Sequence, residues 1–156
     1  MASLEDYVSG KAVADAKKAL AILQSGTEDL RGTPIGGKLT TALASFSPRL
    51  VDMAAAGEMI EKAHTVAVGV RMCKEIDPES THTEAVFLDD LAEAMIAAGK
   101  ANPAAKPDAM AALRKYPENR LVVSKIEGKY QEICRSCRET CVGWHMERRG
   151  LKCFNR

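Results

Sequence analysis

The sequence lacks a surplus of either charge and is short of large aliphatic side chains. It has 22 Lys and Arg against 21 Asp and Glu, so its net charge of +1 supplies no strong field to attract nucleic acid or an anionic membrane. Leu, Ile, Val and Phe together number 32 of 156 residues, whereas Ala alone numbers 24. Such a low aliphatic content indicates disorder when the net charge is large, which it is not here. We therefore expect a single compact domain, 1–156, built from small side chains.

Membrane-spanning and export signals are also missing from the sequence. No apolar run approaches the ~20 residues that a helix needs to span a bilayer. The first ten residues, MASLEDYVSG, have neither the basic nor the apolar region of a secretory signal. Five cysteines is an odd number, which argues against a secreted disulfide framework. These features predict no membrane span and a location in the cytoplasm or another reducing compartment.

Helical periodicity dominates the segments between the glycines and prolines. The only apolar run that suggests a strand is three residues long, at 121–123, and we expect it to lie within a helix. Thr83 is the expected cap of a helix that follows a polar connector, 77–82. The expected fold is therefore all-α, an antiparallel bundle of four to five main helices in which a long C-terminal helix carries a cysteine cluster. The predicted helices span 4–24, 38–46, 47–75, 84–98, 106–115 and 117–149.

Four of the five cysteines lie in the last 23 residues, within the segment 130–156. Three of them recur at i, i+3 and i+7, a spacing that would place them on one face of a helix, beside Trp144. Three interpretations remain open: packing as small buried hydrophobes, binding of zinc or an iron–sulfur cluster, and disulfide or redox chemistry. The candidate metal ligands are Cys134, Cys137, Cys141, His145 and Cys153.

Disulfide and redox chemistry fit the expected long helix poorly. Side chains at i and i+3 have Cβ atoms ~5–6 Å apart, whereas a disulfide prefers ~3.8 Å. A bridge from Cys153 back to the helix is easier to form. A reactive C-x-x-C pair usually stands at a helix N-terminus, where the dipole lowers the thiol pKa. The pair Cys134 and Cys137 is instead expected in the middle of a helix.

The C-terminal segment is basic, and it is the candidate nucleic-acid contact. From residue 118 onward nine Lys and Arg stand against five Glu. Basic side chains among aromatic ones can bind single-stranded nucleic acid, although a solvated chain end has the same composition. The residues concerned are Arg148, Arg149, Lys152 and Arg156, beside Trp144 and Phe154.

No catalytic motif is complete. The stretch 32–39 resembles a phosphate-binding loop, but Leu39 occupies the position that needs a hydroxyl and no predicted strand precedes it. Cys141 and His145 could share a helix face, yet no element that stabilises an oxyanion accompanies them. We therefore expect a non-enzymatic helical structural or adaptor protein, which acts through protein–protein contacts in a larger assembly or homo-oligomer. The alternatives are a metal-binding or thiol-redox protein that uses the C-terminal cysteines, and a nucleic-acid-binding protein that uses the basic tail.

Overall fold

The computed structural model of the chain describes residues 2–79 and 84–156. In this part of the chain, six strands form one antiparallel sheet in the order β1-β5-β6-β3-β2-β4. The strands are β1 (Arg49–Val51), β2 (Val66–Val70), β3 (Glu84–Leu88), β4 (Ala101–Pro103), β5 (Leu121–Ile126) and β6 (Lys129–Arg135). The helices are α1 (Leu4–Ser9), α2 (Lys11–Gln24), α3 (Pro34–Ala44), α4 (Met53–Lys62), α5 (Met72–Ile76), α6 (Asp89–Ala97), α7 (Lys106–Arg114) and α8 (Val142–Arg148).

The expected all-α bundle is therefore wrong, because the chain folds as a mixed α/β structure. The predicted helix 47–75 is divided into β1, α4, β2 and α5, and the predicted helix 84–98 is β3 followed by α6. The predicted C-terminal helix 117–149 is the hairpin of β5 and β6 followed by α8. The predicted cap Thr83 and part of the predicted connector 77–82 lie outside the described residues.

Buried polar residues explain why the strand β6 escaped detection. Its most deeply buried side chains are those of Gln131, Ile133 and Arg135, and two of these three are polar. The alternation of buried and partly buried positions is regular, but it is not an alternation of apolar and polar residues, which is the pattern that predicts a strand. The short strand β2, Val-Ala-Val-Gly-Val, is apolar throughout and merges with the helical spacing of its neighbours.

Two helix boundaries follow local sequence signals. The predicted start of a helix at Lys106 and Pro107 is confirmed by α7, in which Pro107 stands in the first turn. The predicted helix 4–24 is instead divided into α1 and α2 at Gly10, whose φ of 89° is a left-handed conformation that glycine adopts without strain.

None of the helices that the structure describes is long and apolar enough to cross a membrane.

The helices cover both faces of the sheet. On the first face, α4 and α7 pack Ile60 and Leu113 against the strand residues Val86, Val123 and Ile133. On the second face, α1 and α6 cover the half of the sheet that contains Phe87. The helices α2, α3 and α8 pack on one another and lie across a cavity from β5 and β6.

Candidate functional site

The candidate site is a cavity of about 350 Å³ between the β5–β6 hairpin and the helices over it. Strand register fixes its floor, because Val122 pairs with Cys134 and Ser124 pairs with Glu132 across the two strands. All four side chains line the cavity. Alternate residues of a strand point to the same face, so these two cross-strand pairs share one surface of the sheet.

Small side chains on α2 leave the cavity open above this floor. Ala12, Ala16 and Ala19 all line it, and their spacing of four and three residues places them on one face of the helix. Leu39 and Leu43 of α3 also line the cavity. The alanine-rich composition noted in the sequence therefore has a local consequence, because small side chains on α2 leave space for the cavity.

Three carboxyl groups line this mostly apolar cavity: Asp6 and Asp15 lie on the helices α1 and α2, and Glu132 lies on the strand floor. The hydroxyl of Tyr7 donates a hydrogen bond to Oε2 of Glu132. The Tyr7 ring is itself buried, with its edge against Phe87 at 6.1 Å between centroids. Burial raises the pKa of Glu132 to about 7, because a poorly solvated carboxyl group resists ionisation. A ligand in the cavity would meet a carboxyl group that can both donate and accept hydrogen bonds near neutral pH.

Four of the five cysteines line the same cavity. They are Cys73, Cys134, Cys141 and Cys153, and all the cysteines of the chain are free thiols. Burial raises the pKa of Cys134 well above its ordinary value, and it raises the pKa values of Cys141 and Cys153 to about 12. These three groups are therefore protonated thiols at neutral pH, a form that is a poor nucleophile.

A buried guanidinium group lies behind the thiols. Arg71 is only 3% exposed, and its Nη2 lies 3.6 Å from Sγ of Cys73. Its Nη1 has no hydrogen-bond partner among the residues that the structure describes. The charge of Arg71 acts to lower the pKa values of Cys134 and Cys141, although burial outweighs it. Burying a cation without a full set of partners costs free energy.

The structure brings together three of the five predicted metal ligands and places them differently from the prediction. The expectation of one shared helix face is wrong, because Cys134 lies on β6, Cys137 in the following turn, and Cys141 directly before α8. Cys134, Cys141 and Cys153 line the cavity and also pack in one apolar cluster with Trp144, as expected for that side chain.

Cys137 and His145 are the two predicted ligands that do not line the cavity. Sγ of Cys137 donates to Oε2 of Glu139 at 3.2 Å, and Nε2 of His145 lies 2.7 Å from the backbone oxygen of Glu139. Cys73, which was not among the predicted ligands, does line the cavity. It follows β2 and is distant in sequence from the other cysteines. No spacing signal links Cys73 to the C-terminal cysteines, so only the fold could reveal it.

The basic tail is partly used within the fold. Arg149 is buried, and its guanidinium group donates to the backbone oxygens of Glu28 and Leu23 at 2.6 and 2.7 Å. Arg148 donates to the backbone oxygen of Arg138. Two of the four cations predicted to contact nucleic acid therefore hold loops and helix ends in place.

A search for metal-binding groups and three comparisons with known proteins also bear on the site. Across residues 2–79 and 84–156, no group of three or more His, Cys, Asp or Glu side chains is arranged to hold a metal ion. No protein-family model, curated protein or solved structure matches the chain. The chemistry of the cavity is therefore the basis for assigning a function.

Proposed function

We propose that the chain is a binding protein for a small, mainly apolar molecule, which occupies the cavity and places one polar group at Glu132. The observation that carries this proposal is a cavity of about 350 Å³ with a mostly apolar lining, in which the partly buried carboxyl group of Glu132 on the strand floor accepts a hydrogen bond from Tyr7. Binding sites for small molecules typically measure ~300–1,000 Å³ and combine apolar walls with a few placed polar groups.

The lining favours a ring compound that has one hydroxyl or amino group. Phe46 offers an aromatic face and Met72 an adaptable thioether, and both suit planar apolar ligands. A pure hydrocarbon would cover Glu132 without giving it a hydrogen bond, and such a loss costs ~1–3 kcal/mol. A hydroxyl or amino group at this point avoids that penalty.

In this proposal the chain binds its ligand without transforming it, in keeping with the non-enzymatic function expected from the sequence. The raised pKa values of Cys134, Cys141 and Cys153 support this, because a protonated thiol is a poor nucleophile. The adaptor function, the homo-oligomer and the nucleic-acid contact remain predictions. Among the described residues, the exposed large apolar side chains are Ile22, Ile35 and Val70, which lie on three different elements, α2, α3 and β2.

The test is a titration with naphthol and naphthalene, followed by the fluorescence of Trp144. The ring of Trp144 lies 4.5 Å from that of Phe154, which lines the cavity, so an occupant should change its emission. We expect naphthol to bind at least tenfold more tightly than naphthalene. Replacing Glu132 with Leu should remove that preference and leave naphthalene binding intact.

A matched pair of variants on α2 tests the location of binding. Ala16→Phe fills the cavity and should abolish naphthol binding, whereas Ala14→Phe is on the exposed face of the same helix and should not change it. Circular dichroism checks that both variants fold, and Ala16→Leu provides a smaller filling if Ala16→Phe does not. Equal naphthol binding by the Ala14 and Ala16 variants, or no binding by the unaltered chain, would refute the proposal.

A further inference from the structure

Thr140 has a buried hydroxyl group that the fold does not use. The residue lines the cavity, lies between β6 and α8, and is 8% exposed. Its Oγ1 has no hydrogen-bond partner among the described residues. Within the described part of the chain, the other buried side-chain atom in this condition is Nη1 of Arg71, which does not line the cavity. An unpaired buried hydroxyl costs free energy, so its presence in the lining of a cavity indicates a partner there.

The turn that contains Thr140 does not depend on this hydroxyl. The backbone N–H groups of Thr140 and Cys141 both donate to the backbone oxygen of Cys137, at 3.3 and 2.7 Å. Ser136, four residues earlier, is 1% exposed and provides the contrast. Its Oγ donates to a backbone oxygen at 2.8 Å and accepts from Nε1 of Trp144 at 2.9 Å. The hydroxyl of Ser136 therefore serves the fold, whereas that of Thr140 can serve a molecule in the cavity.

Thr140 and Glu132 provide polar groups at two separate places in the cavity. Cys141, the neighbour of Thr140, packs in the same apolar cluster as Val122 and Cys134. In β6, Cys134 stands two residues beyond Glu132, and both side chains line the cavity. Two residues of a strand span ~6.6 Å. A ligand that reaches both polar groups therefore needs a rigid apolar body between its own polar groups, such as two fused rings.

We propose that Thr140 is a second hydrogen-bonding residue of the cavity, and that the ligand is a ring compound with a polar group at each end. Its hydroxyl or amino group lies at Glu132, and a second hydroxyl or a carbonyl group lies at Thr140. This inference rests on the proposed function and narrows its ligand class.

The chemistry of threonine suits this role. A threonine hydroxyl both donates and accepts hydrogen bonds, so it can pair with a hydroxyl or with a carbonyl group. Rotation of the Thr140 side chain between staggered rotamers exchanges the places of its hydroxyl and methyl groups. Because the side chain lines the cavity, such a rotation turns Oγ1 toward the ligand.

The test compares naphthol with dihydroxynaphthalenes whose second hydroxyl is on the other ring, one isomer at a time, by the fluorescence of Trp144. We expect at least one isomer to bind about three- to tenfold more tightly than naphthol, which is the net gain from one hydrogen bond. Thr140→Val keeps the shape of the side chain without its hydroxyl, so it should remove this gain without weakening naphthol binding. Thr140→Ser retains a hydroxyl and should preserve the gain.

Thr40→Val is the matched control, because the hydroxyl of Thr40 donates to the backbone oxygen of Gly36 and lies outside the cavity lining. It should leave the gain unchanged. Thermal unfolding followed by circular dichroism is a second readout. Thr140→Val should not lower the melting temperature, because it loses no hydrogen bond, whereas Ser136→Ala loses two and should lower it.

The outcomes separate this inference from the proposed function. If naphthol binds but no isomer binds more tightly, or if Thr140→Val keeps the gain, the inference is overturned and the proposed function stands. A melting temperature of Thr140→Val as low as that of Ser136→Ala would also overturn it, because the hydroxyl would then serve the fold. Absence of binding by every compound would overturn both.

Discussion

The two faces of the sheet use the same strands but are packed in different ways. On the first face, Ile60 of α4 and Leu113 of α7 fill the space above Val86, Val123 and Ile133, and all five are at most 1% exposed. On the second face, alanines of α2 lie above the β5–β6 hairpin, and a cavity of about 350 Å³ remains. A second pocket, lined by Met59, Leu88 and Val123 among others, adjoins the first face, so the closed core is confined to the part that Ile60 and Leu113 cover. Where the two faces differ, the size of the helix side chains above the strands decides whether the space is filled.

The largest loss of stability is expected from creating a cavity beneath α4 on the first face. Ile60→Ala removes a fully buried side chain between α4 and the sheet, so it should lower the free energy of unfolding by about 2–5 kcal/mol. Urea denaturation followed by circular dichroism measures the loss. The exposed Ala54→Gly on the same helix is a control, which should cost ~1 kcal/mol through helix propensity alone. A loss for Ile60→Ala no greater than that of the control would show that the first face is not closely packed.

A second, slightly smaller effect is expected at Gln131, which ties the sheet to α6. Its Oε1 accepts the backbone N–H of Leu91 at 2.9 Å, and its Nε2 donates to the backbone oxygen of Ile126 at 2.7 Å. Gln131→Leu leaves both backbone groups unpaired in a buried position, which should cost roughly 2–4 kcal/mol. Thermal and urea unfolding measure the change. Gln131→Met keeps the length of the side chain but loses both hydrogen bonds, and a loss below ~1 kcal/mol for that variant would argue against this account.

Gln131 also explains how much of the fold could be predicted from the sequence. Helix signals that act locally, such as Pro107 in the first turn of α7, gave a correct element because they need no partner in space. The strand β6 depends on hydrogen bonds between Gln131 and residues of other elements, and on the contacts of Arg135 with the backbone oxygens of Leu113 and Asn119. Such polar residues look exposed in the sequence, because their partners are brought to them only by the fold.

The residues of the candidate site could likewise be predicted only in part from the sequence. The sequence pointed to Cys134, Cys141 and Cys153, and all three line the cavity, but it also pointed to Cys137 and His145, which do not. That selection assumed a helix, whereas alternation along a strand and the turn after it decide which thiols share a surface. Cys73 and Arg71 could be found only from the structure, because strand pairing brings α5 toward the C-terminal segment.

A smaller effect, an increase in stability rather than a loss, is expected on the face that contains the cavity. Ala16→Leu places additional apolar atoms in the cavity, so it should stabilise the fold by up to about 1 kcal/mol while weakening naphthol binding. Ala14→Leu, on the exposed side of α2, controls for helix propensity. Denaturation and fluorescence titration measure the two properties. Destabilisation of more than about 1 kcal/mol by Ala16→Leu would mean that this position is already filled.

The smallest effect on stability is expected at Glu28, in the loop between α2 and α3. Hydrogen bonds from the backbone at Glu28 and Thr27, followed by the charge of Arg149, hold the pKa of Glu28 below its ordinary value of 4.5. Because the folded-state pKa is depressed, ionised Glu28 stabilises the fold above pH 4.5, and this contribution is lost as the pH falls through and below that value. The carboxylate is exposed to solvent, so the contribution is small. Melting temperatures of the unaltered chain and Glu28→Gln should therefore differ slightly at neutral pH and converge in acid. A constant difference at all pH values would mean that the charge of Glu28 does not secure Arg149 and the loop beside the cavity.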